Sequence, residues 1–196
     1  MKIIYAIFCY LIGSLPPGYI IFFLSEKKDI RKFGSKNTGA TNVLRLKGWK
    51  YAVPVLLVDF LKGYLPVYLS LKLFSDYNFI FLCGFLAAFG HCFPVYLKFR
   101  GGKGIATTMG IFAALAIEPF ILSLLTFLSI ILLTRYVSLA SILSVFSYPF
   151  FILALREDSR IITLSFFLLL LVILRHRENI QRLIRGNERK IGERGR

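Results

Sequence analysis

The chain has 196 residues, 57% of them hydrophobic, and a formal net charge of +15; its mean hydropathy is +0.69. Apolar runs recur along its whole length, which excludes a soluble domain and implies an integral membrane protein, a single domain over residues 1–196. The cations sit between apolar runs, as they do where cytoplasmic loops collect Lys and Arg, so no nucleic-acid partner is implied.

A helix needs about 20 apolar residues to cross a hydrocarbon core. On that measure the expected fold is all-α and polytopic, with about seven transmembrane helices near residues 3–24, 51–73, 79–97, 104–117, 119–133, 139–155 and 160–174. The first run follows Lys2 as a signal peptide would, but no small-residue cleavage site follows and Pro16, Pro17 and Gly18 interrupt it. It is read as a retained span.

The loop after it contains "GSKNTGATNVLR", residues 34–45. Gly34 and Gly39 allow backbone conformations that aim N–H groups at one point, and Ser35, Asn37, Thr38, Thr41 and Asn42 add side-chain donors. Thr41 or Asn42 is placed to cap a helix running toward Arg45, which offers a paired contact to phosphate or carboxylate. Taken alone, the stretch reads as well as a polar turn before a capped interfacial helix.

The second span holds "VDFLKG", in which Asp59 and Lys62 form either a structural ion pair or a support beneath a site. Near the end of the third, His91 in "FGHCFPVY" reads as a packed residue hydrogen-bonded to a neighbouring helix. "RGGKG", residues 100–104, then precedes an apolar helix: Gly101 and Gly102 let backbone approach a ligand, and Lys103 supplies a mobile cation. A snorkelling Lys at a helix end is the plainer alternative. The spacing is not that of a P-loop, which disfavours nucleotide hydrolysis.

Glu118 and Pro119 divide the next apolar run into two short helices. Ser138 and Ser141, in "YVSLAS", share one helix face. In the final segment His176 and Asn179 are again three apart, Arg175 and Arg182 add positive charge, and the arginines from Arg182 onward read mostly as a basic stop. Cys9, Cys83 and Cys92 are packing residues in apolar sequence. Neither metal-ligand spacing nor a G-x-S-x-G elbow is found, so no metal and no cofactor are expected.

Charge orients the spans. With the N-terminus outside and the C-terminus cytoplasmic, the inside segments hold twenty of the 25 Lys and Arg residues; outside are only Lys2, Arg156 and Arg160, and Lys62 and Lys72 lie within the second span. Nearly all of the polar, non-repetitive sequence then falls inside, where carboxylates are few: Glu26, Asp29, Glu178, Glu188 and Glu193. A face rich in cations and amides but poor in acids suits a phosphorylated substrate better than carboxylate general-base chemistry.

"SLPPGYI", "GSKNTGATNVLR", "VDFLKG", "GHCFPVYLKFRGGKG" and "HRENIQRLIRGNERKIG" resemble, in order, the bacterial PlsY family of acyl-phosphate:glycerol-3-phosphate acyltransferases, over about residues 11–192. One departure is Lys36, where the family usually has Gly. The resemblance implies transfer of an acyl group from acyl phosphate to the 1-hydroxyl of glycerol 3-phosphate at the cytoplasmic face of the inner membrane, giving lysophosphatidic acid and phosphate. Its partners are those two substrates and membrane lipid, with the oligomeric state left open. In that frame Lys103, His176 and Asn179 are the expected catalytic residues, with Ser35, Arg45 and Lys103 holding phosphate and His176 and Asn179 orienting glycerol 3-phosphate. Asn37, Thr41, Asn42, Ser138 and Ser141 complete the expected substrate contacts, and the Gly101 and Gly102 N–H groups are expected oxyanion donors. The departing phosphate is the expected proton acceptor, and His176 as base is the competing version. An acyltransferase with an H-x-x-x-x-D motif is disfavoured, because Tyr96 and Gln181 stand five residues after the two histidines. An organophosphate transporter is the non-enzyme alternative, and it would need a polar path to both faces.

Overall fold

The computed structural model describes residues 1–192; Glu193 and the rest of the C-terminus lie outside the described residues. Among the described residues ten α-helices follow one another: α1 Lys2–Ser14, α2 Pro17–Glu26, α3 Ala40–Lys47, α4 Trp49–Leu73, α5 Tyr77–Cys92, α6 Ile105–Leu115, α7 Ile117–Thr134, α8 Val137–Ala154, α9 Arg160–Arg175 and α10 Arg177–Ile184. No strand occurs among the described residues.

Local sequence sets the breaks. Leu15 precedes a proline and is extended (φ −56°, ψ 122°), and Pro17 opens α2, so α1 and α2 meet at a 40° bend. The break between α6 and α7 falls at Ala116 (φ −153°, ψ 112°), just ahead of the expected Glu118–Pro119 position. Glu118 and Pro119 instead occupy the first turn of α7, where proline lacks only an N–H that would be unpaired anyway. By length and composition four helices can cross a membrane, Trp49–Leu73, Tyr77–Leu97, Ile117–Thr134 and Val137–Ala154, and the bent α1–α2 pair makes five. The seven apolar segments of the sequence are all helical, but α6 has 11 residues and α9 has 16.

Two helix pairs pack backbone to backbone through glycine. A Cβ on Gly63 would stand 2.1 Å from the Thr107 carbonyl oxygen, and one on Gly110 2.1 Å from that of Phe60, so α4 and α6 touch directly. Gly13 and Gly90 do the same for α1 and α5, against Ala87 and Tyr10. Around these pairs Phe112 stacks on Tyr148 at 3.6 Å, and Tyr148 donates its hydroxyl to the Phe112 carbonyl at 3.1 Å. Cys9, Cys83 and Cys92 are buried, as packing residues should be. The outer surface is a belt of exposed leucine, isoleucine and phenylalanine side chains facing the position of lipid.

The two ends of the bundle differ in content. At one, the start of α1, the α4–α5 turn and the start of α9 meet: Lys2 pairs with Asp76 at 2.7 Å, and the Arg160 guanidinium lies 3.6 Å from the Tyr77 ring centre. The other end collects the polar segments 27–48, 93–104, 134–137 and 175–192.

Candidate active site

The polar end is organised by short-range hydrogen bonds that fix loops before any ligand arrives. Asn42 is almost fully buried; its Oδ1 accepts from the Ser35 N–H at 2.8 Å and its Nδ2 donates to the Phe33 and Asn37 carbonyls at 3.2 and 2.8 Å. It therefore folds the 33–42 loop instead of capping α3, whose N-cap is Gly39 with no side-chain bond. Neither Thr41 nor Asn42 has the capping role read from sequence. Lys36 has φ +57°, in the left-handed region where a residue with a Cβ is disfavoured, which gives a physical reason for glycine at that position in the family it resembles.

A second device holds the 100–104 loop. The Gly101 and Gly102 N–H groups donate to the Cys92 and His91 carbonyls at 3.2 and 3.0 Å, while the two glycine carbonyls accept from Arg175 Nη2 and Nε at 3.0 Å each. A Cβ on Gly102 would lie 2.0 Å from His91 Nε2. His91 Nδ1 in turn lies 3.3 Å from Asp59 Oδ1, and Lys62 Nζ lies 2.8 Å from that same oxygen and donates to the Leu15 carbonyl at 2.6 Å. Asp59 Oδ1 and His91 Nδ1 have no aligned hydrogen bond, so this is a cluster of close polar contacts buried among the helices, and Asp59 and His91 also border the neighbouring cavity. The expected ion pair is present, and through His91 it stands directly behind Gly102.

These features border one cavity of about 690 Å³, a size usual for a ligand site. Ser35, Asn37, Thr41, Asn42 and Arg45 line it from the first loop and α3; Lys103, Ser138, Ser141, His176 and Asn179 line it from the other segments. Gly101 and Gly102 do not, and their N–H groups are already bonded, so the expected oxyanion role is corrected: they shape the loop that presents Lys103. Ser141 bonds back to the Val137 carbonyl at 2.7 Å.

The tail closes the site. Ile191 N donates to the Arg135 carbonyl at 2.8 Å and Arg135 Nη2 to the Ile191 carbonyl at 3.1 Å, which straps residues after α10 to the α7–α8 turn. Glu188 is thereby buried among the cations. It accepts from Ser138 at 2.9 Å, from Asn179 Nδ2 at 2.6 Å and from Arg182 Nε at 2.7 Å. Asn179 Oδ1 accepts from Lys103, and Arg45 Nη2 reaches the Arg189 carbonyl at 3.4 Å. Reading most of the arginines from Arg182 onward as a basic stop, with Arg182 only as added charge, therefore gave Glu188 and Arg182 no part in a site. The available signal was a carboxylate, within one of the motif segments, on an acid-poor face.

The charge states follow. Burial pushes the Lys103 ammonium down to about 8, with Arg182 and Arg45 adding to the shift and Glu188 opposing it. Burial, then Lys103, pushes His176 down to about 4, so its ring is neutral near pH 7. His176 Nδ1 lies 2.8 Å from the Val172 carbonyl, which only accepts; the ring proton therefore sits on Nδ1 and leaves Nε2 as an acceptor. Burial would raise Glu188, but the bonds from Arg182, Asn179 and Ser138 outweigh it and hold the carboxyl below its usual range. The same cavity continues along an apolar wall of Leu56, Phe60, Met109, Phe120, Leu124 and Phe127. One end of it can take an anion and the other a hydrocarbon chain.

Comparison with known proteins gives a consistent result. The profile of a family described as glycerol-3-phosphate acyltransferase matches residues 3–186. A glycerol-3-phosphate acyltransferase of Endomicrobium trichonymphae is 41% identical over 191 residues, 97% of this chain and 96% of that protein. The crystal structure of PlsY, an integral membrane glycerol 3-phosphate acyltransferase, in its glycerol 3-phosphate form superposes with a TM-score of 0.93 at 40% identity, covering 97% of this chain and 96% of that one. Its lysophosphatidic acid form gives 0.90 at 39% identity, covering 97% and 95%.

Proposed function

This chain belongs to the glycerol-3-phosphate acyltransferase family, and on that premise we propose how its own residues carry out the reaction. It is an integral membrane enzyme that acylates glycerol 3-phosphate to lysophosphatidic acid. The donor in this proposal is acyl phosphate, and the site faces the cytoplasm from a bacterial inner membrane. The observation that carries the reading is a cavity that joins a cation-lined end to an apolar wall: both substrates bear phosphate, and one also bears a fatty chain. Seventeen of the 25 Lys and Arg residues lie in the described segments 27–48, 93–104, 134–137 and 175–192 at the cavity's end, which supports the cytoplasmic placement.

Acyl phosphate is a mixed anhydride and already activated, so the protein's tasks are positioning and charge stabilisation. Ser35, Arg45 and Lys103 hold phosphate groups, and Asn179 and the neutral His176 orient glycerol 3-phosphate. The 1-hydroxyl oxygen forms a bond to the acyl carbon while the bond from that carbon to the phosphate oxygen breaks. The departing phosphate takes the hydroxyl proton, and the products are lysophosphatidic acid and inorganic phosphate. With the Gly101 and Gly102 N–H groups committed to backbone carbonyls, Lys103 is the cation that meets the charge developing on the acyl oxygen. Glu188 sets this arrangement by holding Asn179, Ser138 and Arg182 in one network.

The test supplies purified protein in a lipid phase with acyl phosphate and labelled glycerol 3-phosphate, and acyl-CoA as a parallel donor. Labelled lysophosphatidic acid from acyl phosphate alone is expected, and equal use of acyl-CoA would overturn the donor assignment. In the same assay His176→Ala is expected to raise KM for glycerol 3-phosphate more than it lowers kcat. A drop in kcat of about 100-fold or more, the scale of lost acid–base catalysis, would make His176 the base.

A further inference from the structure

The apolar part of the cavity ends abruptly. Its walls are α4 and α7, which make no extended contact with one another, and its back is the short α6. Leu56 on α4 and Leu124 on α7 stand at its open side, partly exposed toward the position of lipid. No described residue of α4 beyond Phe60, and none of α7 before Phe120, lines the cavity. At that level the two rings meet across the slot, with centroids 5.9 Å apart and planes at 54°.

The floor they make is backed by packed structure. Tyr64 stacks beneath Phe60 at 6.1 Å, and Tyr68 beneath Tyr64 at 5.6 Å, so an aromatic column along α4 supports the ring from below. Behind it the Gly63 and Gly110 contacts join α4 to α6 backbone to backbone, which leaves no room for Phe60 to retreat toward α6. Depth follows from helix geometry: at 1.5 Å per residue, Phe60 lies about 17 Å along α4 from its polar-end start and Phe120 about 21 Å along α7 from its polar-end terminus. One leaflet of a hydrocarbon core about 30 Å thick is about 15 Å deep. The slot is thus about as deep as the single leaflet a fatty chain occupies.

We propose that the Phe60–Phe120 pair is a length stop that selects which acyl chain this enzyme transfers. The inference rests on the reading of the cavity as the acyl-donor site. A chain that just reaches the two rings buries every methylene against the wall. A longer one must bend outward through the gap between α4 and α7, and a shorter one leaves a void above the rings. One methylene more or less in a close-fitting apolar pocket changes discrimination by about 10-fold or more. Phe120 is the ring to alter, since it enters from α7 without the stacked support that Phe60 has.

The experiment measures kcat/KM for a ladder of saturated acyl phosphates, from dodecanoyl to eicosanoyl, with the full chain in a lipid phase and with Phe120→Ala and Phe120→Trp. The Ala variant is expected to move the optimum to longer chains and the Trp variant to shorter ones, each by about 10-fold in the ratio of neighbouring substrates, with KM for glycerol 3-phosphate unchanged. Should the Ala variant lose its fold, the opposite shift in the Trp variant still decides the matter. Active variants that keep the wild-type profile would overturn the length stop. If the wild-type chain makes no product from any acyl phosphate, the donor assignment fails instead, and the same ladder run with the acyl thioester that does support turnover decides the length stop separately.

Discussion

The two ends of this bundle both carry ion pairs, and they are built on different terms. At one end Lys2–Asp76 and Arg160–Asp158 join mostly exposed side chains across turns. Water and salt screen such pairs, and they contribute little. At the other end Glu188, Asn179, Ser138 and Lys103 are enclosed by α8, α10 and the returning tail, and each polar atom holds the next. Beneath them Asp59, Lys62 and His91 lie within the helices and press against the glycine loop. Charge shielded from water acts strongly over a short distance, so the second end can fix geometry where the first only decorates the surface. The difference separates pairs that accompany a fold from pairs that fix the walls of a cavity.

The comparison can be broken first at its strongest point. Lys103→Ala is expected to lower kcat/KM by about 100-fold or more, while Arg185→Ala, an exposed cation in the same segment, stays near wild type; equal losses would mean that total positive charge, and not the enclosed site, is what matters. Next, Gly102→Ala forces a methyl group onto His91 Nε2 and is expected to cost about 1–3 kcal/mol in thermal unfolding. Combined with His91→Ala its cost should fall short of the sum of the single costs by at least about 0.5 kcal/mol; additive costs would show that the buried cluster and the loop are independent.

A smaller effect tests the electrostatics. Lys103 carries its charge below about pH 8 and loses it above, so kcat/KM should decline as pH rises through that range. Glu188 is the negative neighbour that opposes the downward shift, so Glu188→Gln should move this alkaline limb to lower pH. A limb that stays in place would remove Glu188 from the charge network. Least of all, Lys2→Ala at the other end, which breaks the exposed pair but leaves Asp76 capping α5, should leave both Tm and kcat near wild-type values, and a large loss there would erase the distinction between the ends.

Much of this was legible along the chain. The apolar periods and the polar islands gave the helices and their order, and the residues from Ser35 to Asn179 expected to line a site do line one cavity, apart from Gly101 and Gly102. Those two were misread because glycine next to a cation at a helix start looks the same whether its N–H groups are free for a ligand or bonded to a preceding turn. Asn42 was misread for a similar reason: an Asn near a helix start caps it in many loops, and here the backbone of residues 33–37 competes successfully for its amide. Glu188 was counted among the inside carboxylates but given no part in a site, because its weight comes from burial, which a basic tail does not advertise.

Sequence by itself determined that this chain is a bundle of apolar helices with its polar segments gathered at the cation-rich end, since hydropathy and charge are summed locally and need no knowledge of contacts. It determined the family as well, through several separate motifs in order. Tertiary structure alone decided which polar groups face the cavity, that the tail returns to seal it, and that an aromatic pair closes the apolar slot. Those outcomes depend on close approach between residues far apart in the chain, such as Ser138 with Glu188, Gly102 with His91 and Phe60 with Phe120. Such distances are set by how whole helices pack, and no local pattern carries them.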